Sequence, residues 1–225
     1  MSLLHSPKIV NNGLVLCLDA ASRKSYPGTG NVWRDLSGNG NDGTLTNSPI
    51  YSPANFGNFQ FATNTYISTT YNTALDTQTP TVEVWVKTNA TTQNGFWFEK
   101  GFVNAQYSLF QEGGNIKWRQ NFGGITNLST TTETYMNTSS WYQVVGTYSS
   151  GFRRLYINGV LVNSDAQSGT IATSNLGCRI GAYGGGAPDY YYNGSLAICK
   201  VYNRTLTPDE INQNFKATKS RFGLL

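Results

Sequence analysis

Residues 141–162, WYQVVGTYSSGFRRLYINGVLV, leave a folding chain few choices. Positions 141–148 are rich in aromatic and β-branched residues, which suit a pleated, half-buried surface. A polar turn at 149–153 carries Gly151. Residues 155–157 and 160–162 then flank Asn158-Gly159, a pair suited to a type I′ hairpin because both central positions need positive φ. The expectation is three successive antiparallel strands, a meander inside an all-β domain.

Other short segments of the same character recur, bounded by Gly, Pro, Asn and Ser: 14–18, 59–61, 66–68, 96–100, 107–110, 115–119, 178–182 and 194–202. Residues 81–87 alternate cleanly, with Val82, Val84 and Val86 on one face and Thr81, Glu83, Trp85 and Lys87 on the other. Residues 126–137 read as a surface loop with a strand inside it. One helix is expected, where Thr207 caps, Pro208 takes the first position, and Glu210 closes a capping box. Ile211 and Phe215 give that helix its apolar face. Charged residues are only 12% of the chain, which fits many short strands and turns better than long helices. The fold expected is all-β: one domain over residues 1–225, built as a two-sheet antiparallel β-sandwich, jelly-roll-like, with a short C-terminal helix. Residues 1–12 form an N-terminal arm and 216–225 a C-terminal tail, basic and then apolar.

Five stretches in order carry a resemblance: TVEVWVK at 81–87, Trp141-Tyr142 followed by LYING at 155–159, Arg179-Ile180-Gly181, NGSLAI at 193–198, and VYNRTLT at 201–207. Together they resemble the laminin G-like branch of the concanavalin A-like lectin/glucanase superfamily, over most of residues 14–212. The opening, LDAASRKSYPG at 18–28 and WRDLSGNGNDGTL at 33–45, is similar to the start of laminin G-like proteins from bacteriophage structural genes. The resemblance implies a non-catalytic structural or decoration protein of a virion, placed on capsid or tail. Such a protein would be made in the host cytoplasm and would assemble as a homo-oligomer on the particle. It would act through contacts with capsid or tail proteins and touch host-surface glycan. The N-terminal MSLLHSPKIVNNG has no continuous apolar segment or cleavage site, which agrees with that setting. The alternative is a carbohydrate-binding lectin or adhesin module that recognises surface polysaccharide with help from calcium.

Chemistry narrows the choice further. Glycoside hydrolysis needs two carboxylates facing one cleft, and the strand where sandwich glucanases carry theirs offers Glu83 alone. The single histidine, His5, lies near the N-terminus and leaves no Ser-His-Asp or Cys-His arrangement. No enzyme is expected. A net charge of +4 without a basic stripe argues against nucleic acid, and no apolar run reaches membrane-spanning length. Cys17, Cys178 and Cys199 are odd in number and lack CxxC spacing, so buried free thiols are expected, with one inter-strand disulfide as the alternative.

Sugar sites combine aromatic faces with polar groups. The candidates are Trp97, Trp118, Asp189, Tyr190, Tyr191, Tyr192 and Asn193. Three consecutive tyrosines cannot all face inward from a strand of period two. Trp85 and Trp141 are assigned to packing. Calcium is the one cofactor considered, on Asp35, Asn39 and Asp42 beside Asn41, since hard cations want several oxygens close in sequence. The same residue types bond their own backbone in tight turns, and that reading is preferred.

Overall fold

A computed structural model of the chain describes residues 7–101, 106–149, 151–184 and 190–225. Among them the strands are β1 (Leu14–Asp19), β2 (Val32–Trp33), β3 (Gly43–Thr46), β4 (Ile50–Ser52), β5 (Asn58–Phe61), β6 (Tyr66–Thr69), β7 (Thr81–Thr88) and β8 (Gly95–Lys100). They continue as β9 (Tyr107–Glu112), β10 (Asn115–Asn121), β11 (Ile125–Thr131), β12 (Tyr142–Ser149), β13 (Gly151–Ile157), β14 (Val160–Gln167), β15 (Cys178–Ile180) and β16 (Gly194–Tyr202). A one-turn helix, α1 (Thr132–Tyr135), follows β11, and α2 (Pro208–Thr218) follows β16.

Two antiparallel sheets form the expected sandwich. The first runs β14-β13-β12-β7-β16-β5-β4, with β1 also paired to β16; the second runs β11-β10-β9-β8-β15-β6-β3-β2. The β12–β13–β14 meander sits at one side of the first sheet, and its Asn158-Gly159 turn has φ of 51° and 78°, as a type I′ turn requires. Val82, Val84 and Val86 of β7 face the second sheet and join Trp97, Leu109 and Trp118 in one core. All three cysteines are buried and free. No helix among the described residues is long and apolar enough to cross a membrane.

The outer face of β7 is covered as well. Thr207 and Glu210 close the predicted capping box, with Glu210 N–H donating to Thr207 Oγ1 at 3.2 Å and Thr207 N–H to Glu210 Oε2 at 2.9 Å. This anchors α2 across the first sheet. The following turn, Lys219–Phe222, brings Phe222 onto Trp85 with ring centroids 4.1 Å apart. Arg221 donates to Asp19 and to the carbonyls of Asn55 and Gly57. The segment expected as a tail is therefore docked on its own sheet through residue 222. Of the expected N-terminal arm, residues 1–6 lie outside the described residues, while Val10 is buried against α2 and donates its N–H to Asn214 Oδ1 at 2.8 Å.

Two further expectations need correction. Residues 126–137 contain the expected strand, β11, but it takes up half the segment as a sheet edge and runs into the helical turn α1, and β14 extends past the expected 162 to Gln167. Between residues 32 and 52 lie three short strands not expected from the sequence, β2, β3 and β4. These pieces are two to four residues long and mostly half-exposed, too short for an alternating pattern to show.

Candidate ligand-binding site

The outer face of the second sheet carries one polar row. Ser68, Arg179, Glu99, Ser108, Arg119 and Asn127 stand opposite one another on β6, β15, β8, β9, β10 and β11. Glu99 is buried, and its Oε2 accepts the Gly184 N–H at 2.9 Å. Ser108 Oγ, buried between Glu99 and Arg119, has no hydrogen-bond partner among the described residues.

Beside this row lies an aromatic floor. Phe96 of β8 pairs with Phe110 of β9, and their rings stack at 4.1 Å with planes 6° apart. A β-bulge at Phe96/Phe98 turns Phe96 outward while Trp97 and Phe98 enter the core. Arg119 lies over this floor, its Cζ 4.3 Å from the Phe110 centroid and 5.4 Å from that of Phe96. Its Nε donates to Asn127 Oδ1 at 3.1 Å, which fixes the plane of the guanidinium. Burial draws the Arg119 pKa below its usual value, opposed by the nearby Glu112 and Glu99 carboxylates and the Tyr183 phenol. The group stays charged all the same, since arginine does not deprotonate in proteins.

Two tyrosines form the walls. Tyr183 lies 5.0 Å from Phe96, Tyr190 lies 6.5 Å from it, and the two tyrosine rings meet edge-on at 6.1 Å. Tyr190 is 44% exposed and has φ of 48°, a left-handed conformation unusual for a bulky residue. Its carbonyl accepts the Phe96 N–H at 3.3 Å. Glu112, paired with Lys117 Nζ at 2.6 Å, completes a solvent-open cavity of about 170 Å³ lined by Phe96, Glu112, Arg119, Tyr183 and Tyr190.

Of the described residues picked from the sequence, Tyr190 alone lines this cavity. Trp97, Trp118 and Tyr192 are fully buried in the core. Trp118 Nε1 is spent on the Thr147 carbonyl at 3.0 Å, and the Tyr192 ring lies 6.3 Å from that of Trp97. As surface contacts for a sugar these three are corrected: their strands are covered on the inner face by the opposing sheet. Tyr191 is half-buried and does not line the cavity; Asn193 opens on the other sheet; Asp189 lies outside the described residues. Arg119, Phe96, Phe110, Tyr183 and Glu112 were not picked from the sequence. The only signal for Arg119 was alternation in β10, which sends Trp118 inward and Lys117 and Arg119 outward.

The proposed calcium ligands hold a loop together. Asp35 Oδ1 accepts the N–H groups of Cys17 and Ser37 at 2.8 and 2.9 Å, while Oδ2 accepts from Ser37 Oγ and Asn41 N at 2.7 and 3.0 Å. Asp42 Oδ1 accepts the Asp35 N–H at 2.8 Å, and Asn39 Nδ2 donates to Ser37 Oγ at 3.0 Å. These are the bonds of a tight turn clasped to β1. No group of three His, Cys, Asp or Glu side chains among the described residues is placed to hold a metal.

Residues 61–212 match the family model Laminin G 3, described as the concanavalin A-like lectin/glucanases superfamily. The chain belongs to that superfamily. No curated protein sequence matches it. Among solved structures, this lectin/glucanases sandwich is similar to the binding domain of botulinum neurotoxin DC in complex with rat synaptotagmin II, with a TM-score of 0.73 and 14% identity over 93% of this chain and 52% of that one. The receptor binding domain of the botulinum neurotoxin C/D mosaic serotype gives 0.73 and 18% over 92% and 52%. The binding domain of Paraclostridial Mosquitocidal Protein 1 gives 0.69 and 17% over 91% and 52%. The chain thus spans about half the length of each; at these identities the likeness is one of fold.

Carboxylate placement bears on the glucanase side of the superfamily. Glu83 is buried in an ion pair with Lys200 under α2. Glu99 stands opposite Ser108, four residues from Glu112 along β9. Glu99 accepts the Gly184 N–H and Glu112 pairs with Lys117 Nζ.

Proposed function

We propose that this chain is a non-catalytic carbohydrate-binding module, and that a sugar ring seats in the cavity of the second sheet. The observation that carries this reading is the Arg119 guanidinium, held over the Phe96–Phe110 stack in the cavity that the solvent-exposed Tyr190 also lines. Aromatic faces take the C–H side of a pyranose, and a fixed fork of donors takes its hydroxyls. The backbone strain at Tyr190 fits a residue held out for contact. Support also comes from the neighbours, which are titled as binding domains; one title makes cell entry of botulinum neurotoxin type C dependent on two ganglioside molecules.

A place on a virus particle, through capsid or tail contacts and a homo-oligomer there, is the setting we attach to this module. It rests on the resemblance of residues 18–28 and 33–45 alone. Saturable attachment to particles lacking the protein tests it; attachment that free sugar competes away counts against it.

The sugar site itself is tested on a panel of neutral surface polysaccharides with Tyr190→Ala and Arg119→Ala. Both variants should melt within a few degrees of the parent and lose polysaccharide retention. Full retention by both removes this cavity as the seat.

A further inference from the structure

Residues 190–194 cross the sandwich from one sheet to the other. Tyr190 lies beside β8, Tyr192 is buried between the sheets, and Asn193 emerges at the start of β16 on the first sheet. On that sheet's outer face Phe215 and Phe222 cover Trp85. Lys87, two residues further along β7, stands clear of that cover and is only half-buried. With Ser195, Gln60 and Ile50 it forms one cross-strand row over β7, β16, β5 and β4. The row floors an open cleft of about 550 Å³.

Hydrogen bonds hold the rim of this cleft, while three side chains of its floor are uncommitted. The Gln93 side-chain amide clamps the Asn193 backbone from both sides, accepting its N–H at 2.8 Å and donating to its carbonyl at 2.9 Å. Asn89 Nδ2 donates to Asn193 Oδ1 at 2.8 Å, and Asn193 lines the cleft with its Nδ2 still available as a donor. The Lys87 ammonium, the Gln60 amide and the Ser195 hydroxyl engage no other side chain or backbone group among the described residues. Among the described residues no carboxylate lines the cleft.

We propose that this cleft is a second saccharide site and that it takes an acidic sugar. The sugar carboxylate pairs with Lys87, and its hydroxyls meet Gln60, Asn193 and Ser195 over the Ile50 side chain. An ammonium at a half-buried site with no acid beside it favours an anion, and the charge-assisted bond is about twice as strong as a neutral one. The surrounding amides and hydroxyls match a polyol better than a bare ion. This site stands independently of the cavity on the second sheet.

The test is calorimetric titration of the whole chain with a galacturonic acid trimer and with maltotriose as the neutral match, at low and high salt. The acidic trimer should bind more tightly than the neutral one and weaken as salt rises. Lys87→Gln should weaken the acidic trimer about tenfold while leaving the melting temperature unchanged, and Lys24→Gln, an exposed lysine lining neither cavity, should leave acidic-trimer affinity intact. The proposal is overturned if Lys87→Gln binds as the parent does, if Lys24→Gln weakens binding as much as Lys87→Gln, or if the parent does not prefer the acidic trimer.

Discussion

Lys200 Nζ lies 2.9 Å from Glu83 Oε1, and both side chains are buried beneath α2. Asn214 of that helix donates to Glu83 Oε2 at 2.7 Å and to the Tyr202 hydroxyl at 2.9 Å, while Tyr202 donates to the Val10 carbonyl at 3.0 Å. The acid that sequence comparison with glucanases would single out is thus a fastener between sheet, helix and N-terminal segment. Glu83→Gln leaves an uncompensated ammonium in the interior and should cost about 3–5 kcal/mol in urea unfolding. Adding Lys200→Met should recover part of that loss. Polysaccharide retention should be unchanged in either variant at temperatures where it stays folded; lost retention would assign Glu83 a role in binding.

The cap of α2 sets an acid dependence. Two guanidinium nitrogens of Arg204 bond the Glu210 carboxylate at 2.6 and 2.8 Å, and with the Thr207 N–H they hold its pKa down at about 2, against an ordinary 4.5. In the unfolded chain Glu210 takes up its proton first, so the contribution is full above about 4.5 and is lost as pH falls toward about 2. Thermal melts of parent and Glu210→Gln should differ at neutral pH and converge across that window. A constant difference down to pH 2 would show that the ion pair contributes nothing.

Gly146 on β12 stands where a Cβ would fall within the Trp118 indole. Since Trp118 is locked by its bond to Thr147, the ring has little room to retreat. Gly146→Ala should destabilise by about 1–3 kcal/mol, as overpacking does. Gly124→Ala, where the new methyl meets nothing, should be near neutral. Equal denaturation midpoints for the two variants would mean that the core yields at this point.

The buried thiols give a chemical readout of the same core. Burial pushes Cys17 and Cys178 up to about 12, and Cys199 well above its usual value. Reactivity follows the thiolate, so an aromatic disulfide reagent at pH 8 should label none of the three in the folded chain. All three should react in urea. Rapid labelling of the native protein would place a thiol at the surface.

The meander, β7 and α2 were legible because each is encoded locally: a turn pair with φ > 0, a strict alternation, a capping box. Tyr190 was legible too, since a run of three tyrosines must send one outward. Arg119 was not, because what makes it a site residue is the Phe96–Phe110 stack supplied by two other strands. Trp97 and Trp118 misled for the same reason. Aromatic content marks a ligand surface and a core equally, and only the position of the opposing sheet decides between them. The docking of the C-terminal segment was hidden because its partners, Trp85, Asp19 and Asn55, lie far away along the chain.

That docking carries the last prediction. Phe222 stacks on Trp85 at 4.1 Å and lies 5.0 Å from Trp141, so it closes a second apolar cluster on the outside of the first sheet. Removing the ring leaves Trp85 facing water or a void, a change that costs about 3–5 kcal/mol in a packed core. Phe222→Ala should therefore lower the urea midpoint and make the chain sensitive to trypsin after Lys219 and Arg221. Leu225→Ala, at an exposed terminus, should do neither. If Phe222→Ala matches the parent in both assays, the segment after α2 is only resting on the sheet, and the cover over Trp85 comes from Phe215 alone.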